Sequence, residues 1–519
     1  MKINILSLVK KDYFLIFLAF ALIFWIICPD YFLSASEYDT FQYSQFKSIC
    51  FRGLIGFPLL ILLKIKCESK NILLAIVFAI SLSGAIESVL SLMQLLGIIE
   101  SKHAVFRITG SFYNPGPLGG YLAICDVVAI AYFIKNKLYL SNANKFEKCI
   151  FTTFILLISI VLPATFSRTA WIALIISIGY LILSRQEIRN YFKNNLRNVL
   201  IISAIILGLI TLVFAKKSVS SSGRFLIWKI SSIAIAESPI SGNGNFEVAY
   251  RDASIKYFSQ KTYSDSEFRA VDYVNNAFNE YLEIAVRFGV PISLLFIILI
   301  VVCFIIGHKH HRNEFCVGLL ALTVFSCASY PLHLANFVIL LIFCLLGCVL
   351  PAENKIFLPI IGLICFVMSI FGYKYYLPKS DDILLLSQPD FFYSNKDYST
   401  AAYYYNKLYP QLSYNELFMY KYGYSLFMNN QTEKAITIFN EIYNKNGNPN
   451  ICKILGKLYL CKSDFVNAEK YLTQTINILP NRIESYNLLI DMYSRDDYKN
   501  EILEKQLKTF IATHKFKDN

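Results

Sequence analysis

Long apolar runs separated by short basic stretches recur along the first 375 residues, and their lengths predict helices that cross a membrane. The runs fall near 13–28, 49–64, 72–98, 117–134, 149–166, 169–184, 198–215, 287–306, 316–333, 336–350 and 356–374. That is eleven spans, or twelve within the error of such boundaries. One long polar interval, about 216–283, interrupts them. Just before the run at 287 stands VNNAFNEYLEIAVRFGV, residues 274–290, where the spacing of Asn276, Asn279, Glu280, Glu283 and Arg287 places most of them along one face of a helix entering the bilayer.

Beyond residue 376 the pattern turns polar. Residues 376–395 read as a linker, and 396–519 as helices rich in tyrosine with an internal repeat. Tyr422, Gly423, Ala435 and Phe439 recur as Leu455, Gly456, Ala468 and Leu472, followed by Pro480. Ala401 with Tyr405 and Leu489 with Tyr493 mark flanking partial copies. Offsets of 33 and 34 residues match the tetratricopeptide period, in which stacked helix pairs bury a shared face and leave a concave groove. The expected fold is therefore all-α: a polytopic transmembrane helical bundle over 1–375 with one large extramembrane loop, then a tetratricopeptide-like α-solenoid.

Composition agrees with a membrane protein, since 16% charged residues against 55% hydrophobic lies far from the soluble norm of roughly a quarter charged. The net charge of +13 is a topology signal rather than a nucleic-acid footprint, because the basic residues lie in short loops. With the N-terminus inside, the inner loops 1–12, 64–70, 135–148, 185–197, 307–314 and 351–355 hold seventeen Lys and Arg, against four in the short outer loops. The interval 216–283 then lies outside, and an odd number of spans puts the repeats there too. Most of the 13 cysteines sit in or beside apolar runs, where they act as small hydrophobes. Cys452 and Cys461, about 13 Å apart on one helix, are beyond the ~7 Å Cα limit of a disulfide.

Candidate chemistry gathers at the outer boundary. FRITGSFYNPGPLGGYLA (106–123), FSRTAWIAL (166–174) and GRFLIWKISSIAIAESPISGNGNFEVAY (223–250) each bring an arginine: Arg107, Arg168 and Arg224. Guanidinium forks suit phosphate oxygens, so the three form a candidate pyrophosphate clamp; lipid headgroups are the other reading for each alone. Asn114 and the Pro/Gly run after it fit either an anion-binding helix start or an ordinary cap. Glu87, with Ser91 and Gln94, and Asp126 are intramembrane polar residues that either support the arginines or tie helices together. No P-loop, dinucleotide fingerprint or metal-ligand spacing occurs in the sequence.

At these segments, over roughly 70–345, the chain resembles the O-antigen ligase family, which shares its membrane domain with O-antigen polymerases and bacterial protein O-oligosaccharyltransferases. RITGSFYNPGPLGGYLA, FSRTAWIAL, GRFLIWKISSIAIAESPISGNG, NEYLEIAVRFGV and SYPLHL carry the resemblance, and a C-terminal tetratricopeptide domain is a familiar attachment. The resemblance implies glycosyl transfer at the periplasmic face of the bacterial inner membrane, from an undecaprenyl-diphosphate-linked glycan to an acceptor hydroxyl. The acceptor would be lipid A-core, a growing glycan or a protein; no metal, nucleotide sugar or other cofactor is expected. Arginines would hold the diphosphate, and a base on the outer loop would activate the acceptor. The family's histidine before the Asn of the NEYL-like motif is Phe278 here. Glu280 is then the candidate base, oriented by Asn279, with His103 in reserve and a salt bridge to Arg287 as the structural alternative. The repeats imply a protein partner in their groove. The rival class is a glycan or lipid transporter, against which the placement of the arginines at one membrane face weighs.

Overall fold

The computed structural model describes residues 69–138, 140, 144–184, 218–349 and 381–517. The spans expected at 13–28, 49–64, 198–215 and 356–374 lie outside the described residues. Among those described there are helices and no strand. They fall into two compact units, one holding residues 69–184 and 295–349, the other 218–294 and 381–517.

In the first unit, α1 (Ser69–Leu95), α2 (Pro115–Lys135), α3 (Lys145–Val161) and α4 (Arg168–Leu183) precede the interruption. After it, α9 (Val290–Lys309), α10 (Asn313–Ser326) and α11 (Ala335–Val349) follow. Among the described residues, four stretches are long and apolar enough to cross a membrane: Leu73–Leu95, Pro115–Lys135, Lys145–Thr165 and Val290–Lys309. Helix α2 is the hub, packing on α1, α3, α4 and α10, with Pro117 to Ala129 buried throughout. Its small residues make that possible. A Cβ on Gly120 would lie 2.2 Å from the Phe325 ring, and one on Gly119 would lie 2.6 Å from Thr165 and Ser167.

The second unit joins the interrupting segment to the C-terminal helices. Its first part comprises α5 (Ser218–Glu237), α6 (Phe246–Ser259), α7 (Asp265–Ala270) and α8 (Glu280–Phe288). Leu226, Ile230, Phe246, Phe258, Ala277 and Val286 form its core, and Leu479 from the C-terminal helices packs onto it. The second part runs α12 (Asp381–Ser394), α13 (Tyr398–Leu412), α14 (Glu416–Met428), α15 (Thr432–Lys445), α16 (Pro449–Cys461), α17 (Phe465–Ile478), α18 (Glu484–Tyr493) and α19 (Glu501–Thr513).

Two expectations change here. Residues 381–394, expected within a linker, form α12, because Leu386 buries its side chain in the core of the following helices. The predicted span from 287 is instead split at Gly289 into α8 and α9. Asn276 lies outside α8 and Asn279 is its N-cap, so the helical polar face holds only Glu280, Glu283 and Arg287. The repeat period is visible in the packing: α14 and α16 start 33 residues apart, as do α15 and α17. Gly423 meets Phe439 and Gly456 meets Leu472 at equivalent positions, with Ala435 and Ala468 fully buried beside them.

Candidate active site

Within the first unit, the start of α2, after its leading loop, meets the turn before α4 through Ser167 and Gly116. The loop Thr109–Ser111 is held from below by α1. Glu87 accepts hydrogen bonds from Ser111 N–H (2.9 Å) and the Ser111 hydroxyl (2.5 Å). The Gln94 carbonyl oxygen accepts from Thr109 N–H (2.9 Å) and Gly110 N–H (2.8 Å), while its amide donates to Gly110 O (3.0 Å). Gly110 has φ +57°, and a Cβ there would lie 2.5 Å from the Glu87 carboxylate, which explains the glycine. These buried side chains fix the loop on which Arg107 stands exposed.

Asn114 caps α2, accepting from Gly116 N–H at 2.8 Å. Its carbonyl oxygen is therefore engaged in the cap. Gly116 O in turn accepts from the Ser167 hydroxyl at 3.2 Å, which brings the FSR turn against the α2 start. Arg168, half-buried, is the first residue of α4, after a 3₁₀ turn (Leu162–Thr165) and Phe166 in the left-handed region at φ 49°. Asp126 lies deeper, one carboxylate oxygen accepting from Ser159 at 3.1 Å and the other buried without a hydrogen bond. His103 packs on Phe106 and Tyr113, with ring centroids at 4.6 and 5.4 Å. Its Nδ1 accepts from Val105 N–H at 3.1 Å.

In the second unit the segment before α8 is fixed atom by atom. Trp228 Nε1 donates to Ala277 O (3.1 Å), Ala277 N–H donates to Glu283 Oε2 (2.9 Å), and Phe278 N–H donates to Asn276 Oδ1 (3.1 Å). Phe278 sits at φ 48°, a strained backbone for an aromatic residue, with the Arg224 guanidinium 5.6 Å from its ring centroid. Asn279 accepts from Tyr281 and Leu282 N–H, both at 3.1 Å, and so starts α8. Glu280 follows in the first turn, 3% exposed. The salt bridge weighed for Glu280 belongs to another carboxylate: Arg287 pairs with Glu283 through Nη2 (2.9 Å) and Nε (3.0 Å). Four residues apart on α8, Glu283 and Arg287 meet on one face, whereas a seven-residue separation puts Glu280 two turns away.

The SPISGNGNF turn braces the far end of α8. Asn243 N–H donates to Val286 O (2.8 Å), Gly244 N–H to Arg287 O (2.9 Å) and Val290 N–H to Pro239 O (2.8 Å). The Gly-x-Gly is thus a backbone clasp on the helix that carries Glu280 and Glu283. Sequence reasoning set Gln94 among the intramembrane polar residues and Glu283 on the polar stripe before residue 287, but assigned no role to Ser111 or Trp228. The Glu283/Arg287 spacing was a readable signal, but the bonds from Trp228 and Ser111 join residues far apart in sequence.

The O-antigen ligase family profile matches residues 153–297, a stretch that contains Arg168, Arg224, Asn279, Glu280 and Arg287. No curated protein and no solved structure matches the chain. The family match, together with the apolar helices, supports a membrane location and a place among the ligases and polymerases that transfer glycans.

Proposed function

We propose that this chain is a transferase of the O-antigen ligase type, moving a glycan from an undecaprenyl-diphosphate carrier to an acceptor hydroxyl at the periplasmic face of the inner membrane. The acceptor oxygen forms a bond to the anomeric carbon while the carbon–oxygen bond to diphosphate breaks. The hydroxyl proton passes to Glu280, and the electron pair leaves with the lipid diphosphate. Arg107, Arg168 and Arg224 offset the charge that develops on the leaving group, where stabilisation matters most. Asn279 orients Glu280 by fixing the start of α8.

The observation that carries this reading is the rigid setting of Glu280. A buried carboxylate begins a helix capped by Asn279 and locked through Glu283 and Arg287, inside the family-matched stretch. Substituting Glu280→Gln tests it. Transfer is expected to fall roughly a hundred- to ten-thousandfold with donor binding retained. Near-normal transfer in Glu280→Gln, with collapse in His103→Ala, would move the role to His103.

Membership of 218–294 and 381–517 in one compact unit also supports placing the repeats on the same side as the outer segment, without recourse to span counting. We assign the repeats to the tetratricopeptide type on their 33-residue helix pairs. Polymerase or protein-glycosylating activity uses the same donor chemistry and differs only in the acceptor.

A further inference from the structure

We propose that the C-terminal helices act as a positioning clamp on the outer segment, with Arg251 as the central positioning residue. Helix α15 ends with carbonyls that lack helical partners, the negative end of its dipole. The donors come from α6, nearly two hundred residues away in sequence. Arg251 is 4% exposed, and its Nη1 donates to Asn446 O (3.1 Å) and to Tyr443 O. Its guanidinium lies 3.9 Å from the Tyr443 ring centroid, and Nε pairs with Asp252 at 2.8 Å. Asn245 serves two helices at once: its oxygen caps the start of α6, and its amide donates to Lys445 O at 2.7 Å. Gly447 presses so close that a Cβ would lie 2.1 Å from Glu247 O.

A second contact secures the other end of the segment. Val271 O, at the end of α7, accepts from Asn481 Nδ2 (2.9 Å) and Lys517 Nζ (3.0 Å). Asp272 faces Arg482 (3.5 Å) and Lys517 (3.4 Å). Tyr273 then donates to Glu247 Oε2 at 2.8 Å, returning to the start of α6. Only residues 274–279 separate this double anchor from Glu280, and they are themselves pinned by Trp228 and Glu283. Removing the clamp therefore loosens the placement of α8, not merely the repeats.

The test uses the full chain in lipid nanodiscs, with amide exchange read in residues 440–447, 273–288 and, as reference, 75–90. Arg251→Ala is expected to speed exchange at least about tenfold in both of the first two regions and not in the third. Arg251→Lys, which lacks the planar fork, restores protection only in part. The kinetic arm rests on the proposed transferase reading: kcat for transfer should fall with KM for the donor unchanged, as a loss of placement requires. Loosening of 440–447 with 273–288 unchanged would reduce Arg251 to a local staple and overturn the proposal, as would unchanged kcat when both loosen. Should Arg251→Ala fail to insert, Asn245→Ala removes the bond to Lys445 O together with the cap of α6 while leaving the buried Arg251 charge paired. It must then accelerate exchange in 273–288, and absence of that effect refutes the clamp. If the wild type transfers nothing, the transferase reading fails, and exchange alone decides.

Discussion

Gly242 and Gly244 share nearly the same backbone, at φ +69° and +73°, yet differ in surroundings, so alanine at each separates two costs. A Cβ on Gly244 meets nothing within 4 Å. Its substitution carries only the left-handed penalty of roughly 1–2 kcal/mol. A Cβ on Gly242 would lie 2.4 Å from Arg287 O, a backbone atom that cannot swing aside. Overpacking adds about 1–3 kcal/mol, bringing Gly242→Ala to roughly 2–5 kcal/mol. At about 1.4 kcal/mol per factor of ten, local opening of the α8 end rises about tenfold in Gly244→Ala and on the order of a hundredfold or more in Gly242→Ala. Amide exchange of Asn243 and Gly244, the two donors to α8, reads this directly. Transfer activity should follow the same order. Equal effects from the two substitutions would refute the reading of this turn as a clasp on α8.

Lysine at Arg107, Arg168 or Arg224 should not restore a diphosphate grip, because it lacks the two-pronged fork. Loss of a charge-assisted bond of about 1.5–3 kcal/mol predicts roughly ten- to a hundredfold slower transfer per site. Full activity in well-inserted lysine variants would return these residues to lipid anchoring. Acid should weaken the second unit through Glu267. Burial acts against its charged form, but hydrogen bonds from Lys229, Ser264 and Tyr257 hold its carboxyl down at about 2, below the ordinary 4.5. Its contribution is therefore complete above about 4.5 and is lost as pH falls from there towards 2. Glu267→Gln should flatten that part of the stability profile; an unchanged acid slope would count against the network. A reporter fused after Asn519 should be active only outside the cytoplasm, and cytoplasmic activity would contradict the topology.

The membrane helices were legible because long apolar runs have few other uses, and a cap at Asn114 was one of the two readings its segment offered; the cap at Asn279 was missed, because spacing alone put that residue on the helical face. The 33-residue spacing was readable because Gly423 and Gly456 occupy equivalent close contacts. The break at Gly289 was hidden, since apolar residues continue on both sides and hydropathy does not register φ +87° or a carbonyl that would lie 2.0 Å from a Cβ. Residues 274–279 looked helical by spacing alone. Their irregular path depends on Trp228, 49 residues earlier, and on Glu283, whose carboxylate takes the Ala277 N–H that a helix would have used locally. Arg251 was one of eight basic residues in a long loop, and its partners lie 192 and 195 positions away. Such contacts leave no local pattern to read.

The most direct measurement follows a labelled glycan on its polyprenyl-diphosphate carrier, supplied with acceptor hydroxyls to the purified full-length protein in liposomes. The account predicts equimolar appearance of glycosylated acceptor and free polyprenyl diphosphate, strongly reduced in Glu280→Gln. Movement of the intact carrier between leaflets, with its glycosidic bond unbroken, would contradict the transferase reading and favour a transporter.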